Sequence, residues 1–381
     1  MCAWQAAERG RSVLVLEKGP KVGLKILVSG GGRCNFTNLH VDPKEHFVSR
    51  NEHFCVSALR RFEPADFIEL VEQREIEYHE KTLGQLFCND SAKQIVALLV
   101  DACRQAGVEI QVKQAVTSVV CAANPGDGFE IATERALFSA RQVVVATGGL
   151  SLPKVASDFA LRCADHFELA KVPTAPALVP FVWNPEDRAR YVGLAGIAVD
   201  VSVSTASGNT EFRENLLFTH KGLSGPAVLQ ISSYWQPGTQ IFVNWLPELD
   251  VPAWLLQAAR DKPQQQLMTL LKTRLPKRLV EALDGGATFD SKLGSLRPQA
   301  LQEIGERLNH WPFEPAGTEG YATAEVTAGG IDTAEVSSKT FAVNKVPGLF
   351  VIGEALDVTG WLGGYNFQWA WASGWCCAQY L

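Results

Sequence analysis

Nothing in the 381-residue chain approaches the run of ~18 apolar residues that a membrane-spanning helix needs, and the first residues show neither the basic nor the long apolar stretch of a secretory signal. A membrane helix is not expected, and the expected location is the cytoplasm. A dominant charge is missing as well: 35 Lys and Arg against 41 Asp and Glu leave a net charge of −6. That balance gives no global electrostatic argument for nucleic acid or a membrane as partner, although local patches remain open. Nine cysteines are present, yet none forms a C-x-x-C and none stands at zinc-finger spacing from a histidine. Metal binding and dithiol redox chemistry therefore have no support, and no metal is expected. Cys55, Cys103, Cys163, Cys376 and Cys377 read as small core hydrophobes in a reducing compartment. Cys34 differs, because it sits in a glycine-rich loop.

What the chain does have is concentrated in two glycine-rich blocks. The first runs from Gly23 to Asn38 and contains Ser29-Gly30-Gly31-Gly32-Arg33-Cys34-Asn35-Phe36-Thr37-Asn38. The second follows the apolar strand Gly348-Leu349-Phe350-Val351-Ile352 with Gly353-Glu354, and then with Gly363-Gly364-Tyr365-Asn366 at the start of a helix. A strand that delivers an acid and then glycines to a helix N-terminus sets a partner for ribityl hydroxyls beside backbone N–H groups. That arrangement suits an anionic flavin.

These blocks, with the segment Leu217-Phe218-Thr219-His220-Lys221-Gly222-Leu223-Ser224-Gly225-Pro226, resemble the BaiN-like family of bacterial NAD(P)/FAD-dependent oxidoreductases from about residue 2 to residue 381. The resemblance implies FAD as cofactor and NAD(P)H as reductant. It also implies an α/β fold, an FAD-binding Rossmann-like domain of the glutathione-reductase type that is discontinuous in sequence and carries an inserted β-barrel plus helical module.

The dinucleotide fingerprint G-x-G-x-x-G is absent from the chain. In a βαβ unit it closes the first strand, and an acid for the ribose follows roughly 20 residues later. Ala3 to Arg9 reads as the end of the first helix, Ser12 to Leu16 as the second strand, and Glu17 stands where the ribose acid belongs. The fingerprint and first strand are therefore expected before Met1. A start assigned to an internal methionine is the first explanation, ahead of a truncated gene or a different phosphate site.

The first region reads as α/β. Apolar positions recur at helical spacing over Phe62 to Val71 and Ser91 to Cys103, and strands are expected at Val108 to Val112, Val116 to Cys121, Phe129 to Thr133 and Gln142 to Gly149. Pro173, Pro176 and Pro180 favour an extended connection and a domain boundary. The expected cofactor domain is 1–172 with 325–381, and the expected insertion is 173–324. Within the insertion, 173–248 reads as mainly β, 249–312 as mainly helical with Pro276 and Pro298 opening helices, and 313–324 as the return. Strands are expected at Ile197 to Val203 and Gln240 to Trp245, with a turn at Ser207-Gly208-Asn209, and strand character returns over Ala322 to Ile331.

The expected cofactor set is Glu17, Lys18, Lys25, Ser29, Gly30, Gly31, Gly32, Arg33, Val116, Thr147, Gly148, Gly149, Gly353, Glu354, Gly363, Gly364, Tyr365 and Asn366. Glycines allow close approach, acids take ribose and ribityl hydroxyls, and Lys25 and Arg33 suit phosphate or a substrate anion. By resemblance, the groups expected to border the flavin ring are Ser29, Cys34, Asn35, Asn38, His220 and Lys221, with Cys34, Asn35, His220 and Lys221 as the catalytic candidates and His220 able to pass a proton near neutral pH. For Cys34, a nucleophile, a polarity-tuning neighbour and simple packing all stay open. Trp369, Trp371 and Trp375 do not share one helical stripe and read as packing residues.

The expected function is FAD-dependent, NAD(P)H-driven reduction of an activated carbon–carbon double bond in a small-molecule substrate. One alternative is an RNA-modifying flavoenzyme that reduces the C5–C6 bond of uridine, supported by Lys272, Arg274, Lys277 and Arg278 in a stretch, 250–310, with nine Lys and Arg against seven Asp and Glu. The other is a non-catalytic or inactive truncated flavoprotein.

Overall fold

A computed structural model describes the chain apart from residues 125, 127, 207 and 285–287. Ser207, the first residue of the expected turn, lies outside the described residues. The chain separates into two compact units, Met1–Pro176 with Val326–Leu381, and Ala177–Glu325.

The first unit is built on two parallel strand pairs. Leu14–Glu17 pairs with Glu109–Val112, and Val143–Val145 with Leu349–Val351. Val143–Val145 and Leu349–Val351 are wholly apolar, as strands covered on both faces tend to be, whereas no residue of Leu14–Glu17 or Glu109–Val112 is buried. The long helices of this unit are Lys93–Gln105 and Tyr365–Ala378. The helix expected from Phe62 begins at Pro64, because Glu63 and Asp66 form a reciprocal capping box there and proline suits the first helical position. A three-stranded antiparallel sheet joins Val116–Cys121, Phe129–Thr133 and Leu137–Ala140, and another joins Asn35–Asn38, Gln85–Cys88 and Tyr78–Glu80. Phe36, Phe67, Ile95, Phe341 and Trp369 lie in the shared core.

Ten of the 14 residues in the C-terminal helix are buried, so it is apolar all round rather than along one stripe. That explains how Trp369 and Trp371, two positions apart, are both covered. Trp371 stacks on Phe67 at 4.7 Å and donates to Phe36 O, while Trp369 donates to Gly353 O.

The prolines after residue 172 do not make a bare connection. Pro173 and Pro176 lie inside the strand Lys171–Ala177, which pairs only with Val326–Ile331. A strand paired on one side tolerates residues that lack an N–H. At the other end, the strand expected from Ala322 starts only at Val326, since Thr323 N and Ala324 N donate to Gly320 O in a turn.

The second unit holds a seven-stranded antiparallel sheet in the order Trp311–Phe313, Ile241–Asn244, Ala198–Thr205, Glu211–Phe218, Gly222–Ser224, Phe181–Val182, Gly317–Thr318. Its two edge strands are consecutive in the chain, and Ala316 N, in the link between them, donates to Val182 O on the strand next to the Gly317–Thr318 edge. The sheet therefore rolls until its edges approach, with Trp183 and Phe313 in edge contact at 5.5 Å. Among the described residues, four α-helices lie within 251–309: Val251–Asp261, Leu267–Leu271, Lys277–Asp284 and Pro298–Asn309. Gly305 permits the closest of their packings, because a Cβ there would come within 2.4 Å of Pro252 N. This unit starts and finishes at one place: Glu325 N donates to Leu178 O at 3.2 Å. Among the described residues no helix is long and apolar enough to cross a membrane, and no group of three His, Cys, Asp or Glu gathers as a metal site.

Candidate cofactor site

Strand ends deliver the polar residues of the first unit to one place. Leu14–Glu17 and Val143–Val145 both end at a cavity of about 220 Å³, lined by Glu17, Lys18, Lys25, Thr147, Gly148 and Gly149 among others. Three separate stretches of sequence meet there. Glu17 Oε1 accepts from Gly19 N at 2.6 Å, which fixes the carboxylate at the mouth of the strand. Lys18 Nζ donates to Ala156 O.

Glu354 is more deeply engaged than an acid waiting for hydroxyls. Its Oε1 accepts from Thr327 N at 2.9 Å and from Ser151 Oγ at 3.3 Å, and its Oε2 pairs with Lys25 Nζ. Lys25 also donates to Ser151 Oγ at 3.0 Å, so this cation does not stand free for a phosphate. Thr327 Oγ1 accepts from Leu150 N at 2.8 Å and closes the cluster onto the turn after Val143–Val145. Gly149 is required here, because a Cβ on it would fall 2.5 Å from Thr327 Oγ1 and 2.9 Å from Glu354 Oε1. Ser151 and Thr327 were not among the expected site residues. The one available signal was that Ser151 stands two residues after the Thr147-Gly148-Gly149 turn.

The two glycine blocks are joined by asparagines. Asn38 Nδ2 donates to Gly363 O at 2.9 Å, and its Oδ1 accepts from His40 N at 2.8 Å. The Asn35 carboxamide lies 3.1 Å from Gly364 N, Leu86 O and Thr37 O, its oxygen accepting from the first and its nitrogen donating to the others. Gly364, at φ 98°, packs so closely that a Cβ would meet Thr37 O at 2.4 Å. Asn366 does not use its side chain toward a ligand; it brackets the preceding turn, accepting from Gly360 N and donating to Gly360 O, both at 2.8 Å. Tyr365 is buried, with its ring 4.6 Å from that of His46. Gly353 N donates to Ser373 Oγ at 3.1 Å.

In the first block, Ser29 Oγ donates to Ile26 O, and Gly30, Gly31 and Gly32 adopt successive positive φ values of 56°, 66° and 85°. Arg33 is exposed and makes no ion pair among the described residues. Cys34 is fully buried, and burial pushes its thiol up to about 12, against a smaller opposing effect of its hydrogen bond to Ser29. A thiolate nucleophile near neutral pH does not fit that environment. Val116 packs against the core of the first unit, outside the lining of the cavity. His220 and Lys221 belong to the second unit, exposed at the tip between Glu211–Phe218 and Gly222–Ser224, where Lys221 Nζ pairs with Glu319 at 3.1 Å.

An FAD molecule asks for glycine cradles, a helix N-terminus and a carboxylate at a strand end. Gly149, Gly364 and Glu17 answer each of these, so the first unit fits the group. Fold and site together define a flavin-dependent oxidoreductase of the FAD-binding Rossmann class. More particularly, the chain belongs to the family described as HI0933-like protein Rossmann domain, whose match spans residues 1–380.

Among curated proteins, it is 51% identical over 382 residues to a ribosomal RNA dihydrouridine synthase of Escherichia coli (strain K12), covering 100% of this chain and 94% of the relative. It is 45% identical to a protein of the same name from Haemophilus influenzae, covering 99% and 94%. It is 28% identical to the 3-dehydro-bile acid delta(4,6)-reductase of Clostridium scindens, covering 96% and 92%. Among solved structures, 3-ketosteroid delta1-dehydrogenase from Sterolibacterium denitrificans in complex with 1,4-androstadiene-3,17-dione has a TM-score of 0.51 at 14% identity, over 100% of this chain and 96% of that one. At that identity the likeness speaks for the fold alone.

Proposed function

We propose that this chain reduces the C5–C6 double bond of a uridine in ribosomal RNA, with FAD as cofactor and NAD(P)H as reductant. The observation that carries this reading is the end-to-end identity of 51% and 45% to two proteins named ribosomal RNA dihydrouridine synthase. The chemistry agrees with the broader expectation of activated double-bond reduction, because C5=C6 of uracil is conjugated with the C4 carbonyl. When bound, FAD supplies hydride to the electrophilic carbon of such a bond.

The chain's own residues hold and shape the site. Glu17 takes ribose hydroxyls, and the Gly148–Gly149 turn gives the cofactor room to approach. Glu354 braces the ribityl end through Lys25, Ser151 and Thr327. The Ser29 to Arg33 loop and the Gly363–Asn366 helix start present backbone N–H groups, which favour negative charge close by. Cys34 supports that loop from below. His220 and Lys221 are the substrate-side polar groups of this reading, His220 with the proton for C5 and Lys221 for an anionic substrate. The enzyme then works in the cytoplasm, where ribosomal RNA is found.

A second reading, reduction of a small conjugated enone, is favoured by the 28% relative named as a bile-acid reductase. Mass spectrometry of ribosomal RNA from a gene-deletion strain separates the two. Loss of one dihydrouridine, restored by the wild-type gene, supports the first reading. Unchanged RNA, with enone turnover by the purified holoenzyme, supports the second.

A further inference from the structure

Between residues 262 and 280 the chain places Lys262, Lys272, Arg274, Lys277 and Arg278 and not one Asp or Glu. The second unit folds this stretch into a corner between the helices Leu267–Leu271 and Lys277–Asp284. Leu271, Leu275, Leu279 and Val280 are buried on the inner side of the corner, which leaves the cations outside. The structure then sorts them. Lys272 Nζ lies 3.0 Å from Glu281 and Lys277 Nζ 3.9 Å from the same carboxylate, so these two share one counter-charge. Arg274 and Arg278 are exposed, and neither forms a hydrogen bond, ion pair or ring contact among the described residues.

Three other arginines of this unit are used structurally, while Arg188, Arg260 and Arg297 are exposed without a side-chain partner among the described residues but lie outside this corner. Arg213 is held by Asp200 and Glu248, Arg190 donates to Ala282 O and Leu283 O, and Arg307 lies over the Trp311 ring at 4.4 Å. A guanidinium that folding leaves unused is suited to bidentate phosphate contact. A further cation flanks the corner. Lys292 forms a β-bridge with Gln266, immediately before Leu267–Leu271, and that five-residue helix spans about 7.5 Å.

We propose that this corner, with Arg274 and Arg278 as its free cations, is a docking surface for the phosphate backbone of RNA. The inference rests on the uridine reading above and extends it by naming where the polynucleotide is gripped, apart from the cofactor site. The grip is electrostatic and sequence-independent, so it adds affinity and orientation without choosing the base.

The test uses flavin-loaded protein and ribosomal RNA purified from a gene-deletion strain. Binding is measured across a salt series for wild type, Arg274→Gln/Arg278→Gln, Arg274→Glu/Arg278→Glu, and the control Arg135→Glu/Arg141→Glu in the first unit. Losing two phosphate contacts should lower the slope of log affinity against log salt by roughly 1.4–1.8 in the Gln pair. The Glu pair should bind more weakly still, while flavin content and thermal midpoint stay at wild-type values and the control binds normally. Wild-type slope and affinity in both Arg274/Arg278 pairs would overturn the surface and leave it a solvated helix corner. Equal loss in the control would overturn it too, as a net-charge effect. If wild type forms no dihydrouridine on this RNA, the uridine reading fails first and the surface falls with it; if wild type forms it and the variants bind unchanged, only the surface fails.

Discussion

Asn38 Nδ2 donates to Gly363 O at 2.9 Å, closing a contact between residues 325 positions apart. Through it the first glycine loop and the start of the C-terminal helix are one piece of structure, and whatever loosens one loosens the other. Asn38→Ala should leave Gly363 O unpaired in a buried setting and cost about 1–3 kcal/mol. Denaturant unfolding reads the cost, and the flavin-to-protein absorbance ratio should fall with it. Wild-type values in both would show that the link is dispensable.

Gly364→Ala and Gly31→Ala should differ sharply, although both positions have positive φ. An alanine Cβ at 364 would stand 2.4 Å from Thr37 O, whereas at 31 it meets nothing within 4 Å. Gly31→Ala should pay only the left-handed backbone strain of about 1–2 kcal/mol. Gly364→Ala adds a clash with backbone and should give little folded, flavin-bearing protein. Comparable soluble yield and flavin content from the two variants would contradict the packing.

Glu17 and Glu354 should separate cofactor affinity from stability. Either carboxylate, if it holds cofactor hydroxyls, contributes about 1.5–3 kcal/mol, so alanine at each should weaken FAD binding by roughly tenfold or more. Only Glu354→Ala should also lower the thermal midpoint of the flavin-free protein, since it removes the ion pair of Lys25 and the acceptor of Thr327 N. Fluorescence titration and calorimetry measure the two effects independently. Unchanged FAD affinity in both variants removes these acids from the cofactor site.

Cys34 should resist alkylation in the folded protein near neutral pH, and Cys34→Ala should keep measurable turnover. Its thiol is raised in the folded state from 9.0 to about 12, so folding favours the protonated form. The resulting stability is fully present below pH 9.0 and is lost as pH rises toward about 12. Cys34→Ala should flatten that part of the stability profile. Abolished turnover with flavin retained would instead promote a covalent role.

The glycine blocks were legible because φ > 0 and close backbone approach demand glycine whatever the rest of the chain does. Glu17 was legible for a similar reason, as an acid directly after an apolar run. The cluster around Glu354 was not, since Thr327 and Ser151 reach it only once distant strands have packed, and neither residue type announces such a role. Sequence left three roles open for Cys34, and only the packed structure shows its thiol in the core; it likewise could not show that the Asn366 side chain is spent on the preceding turn. Pro173 and Pro176 read as an extended connection at a domain boundary; they are extended, and the compact units divide at Pro176, but the pattern does not reveal that the extended stretch is a strand paired with Val326–Ile331.

Glu325 N and Leu178 O, hydrogen-bonded near the two ends of the second unit, bring the termini of that segment together. A cassette of that kind can lengthen, shorten or be exchanged between family members without re-routing either flank. Grafting 177–325 of this chain into the bile-acid reductase relative is thus a splice at one seam rather than two.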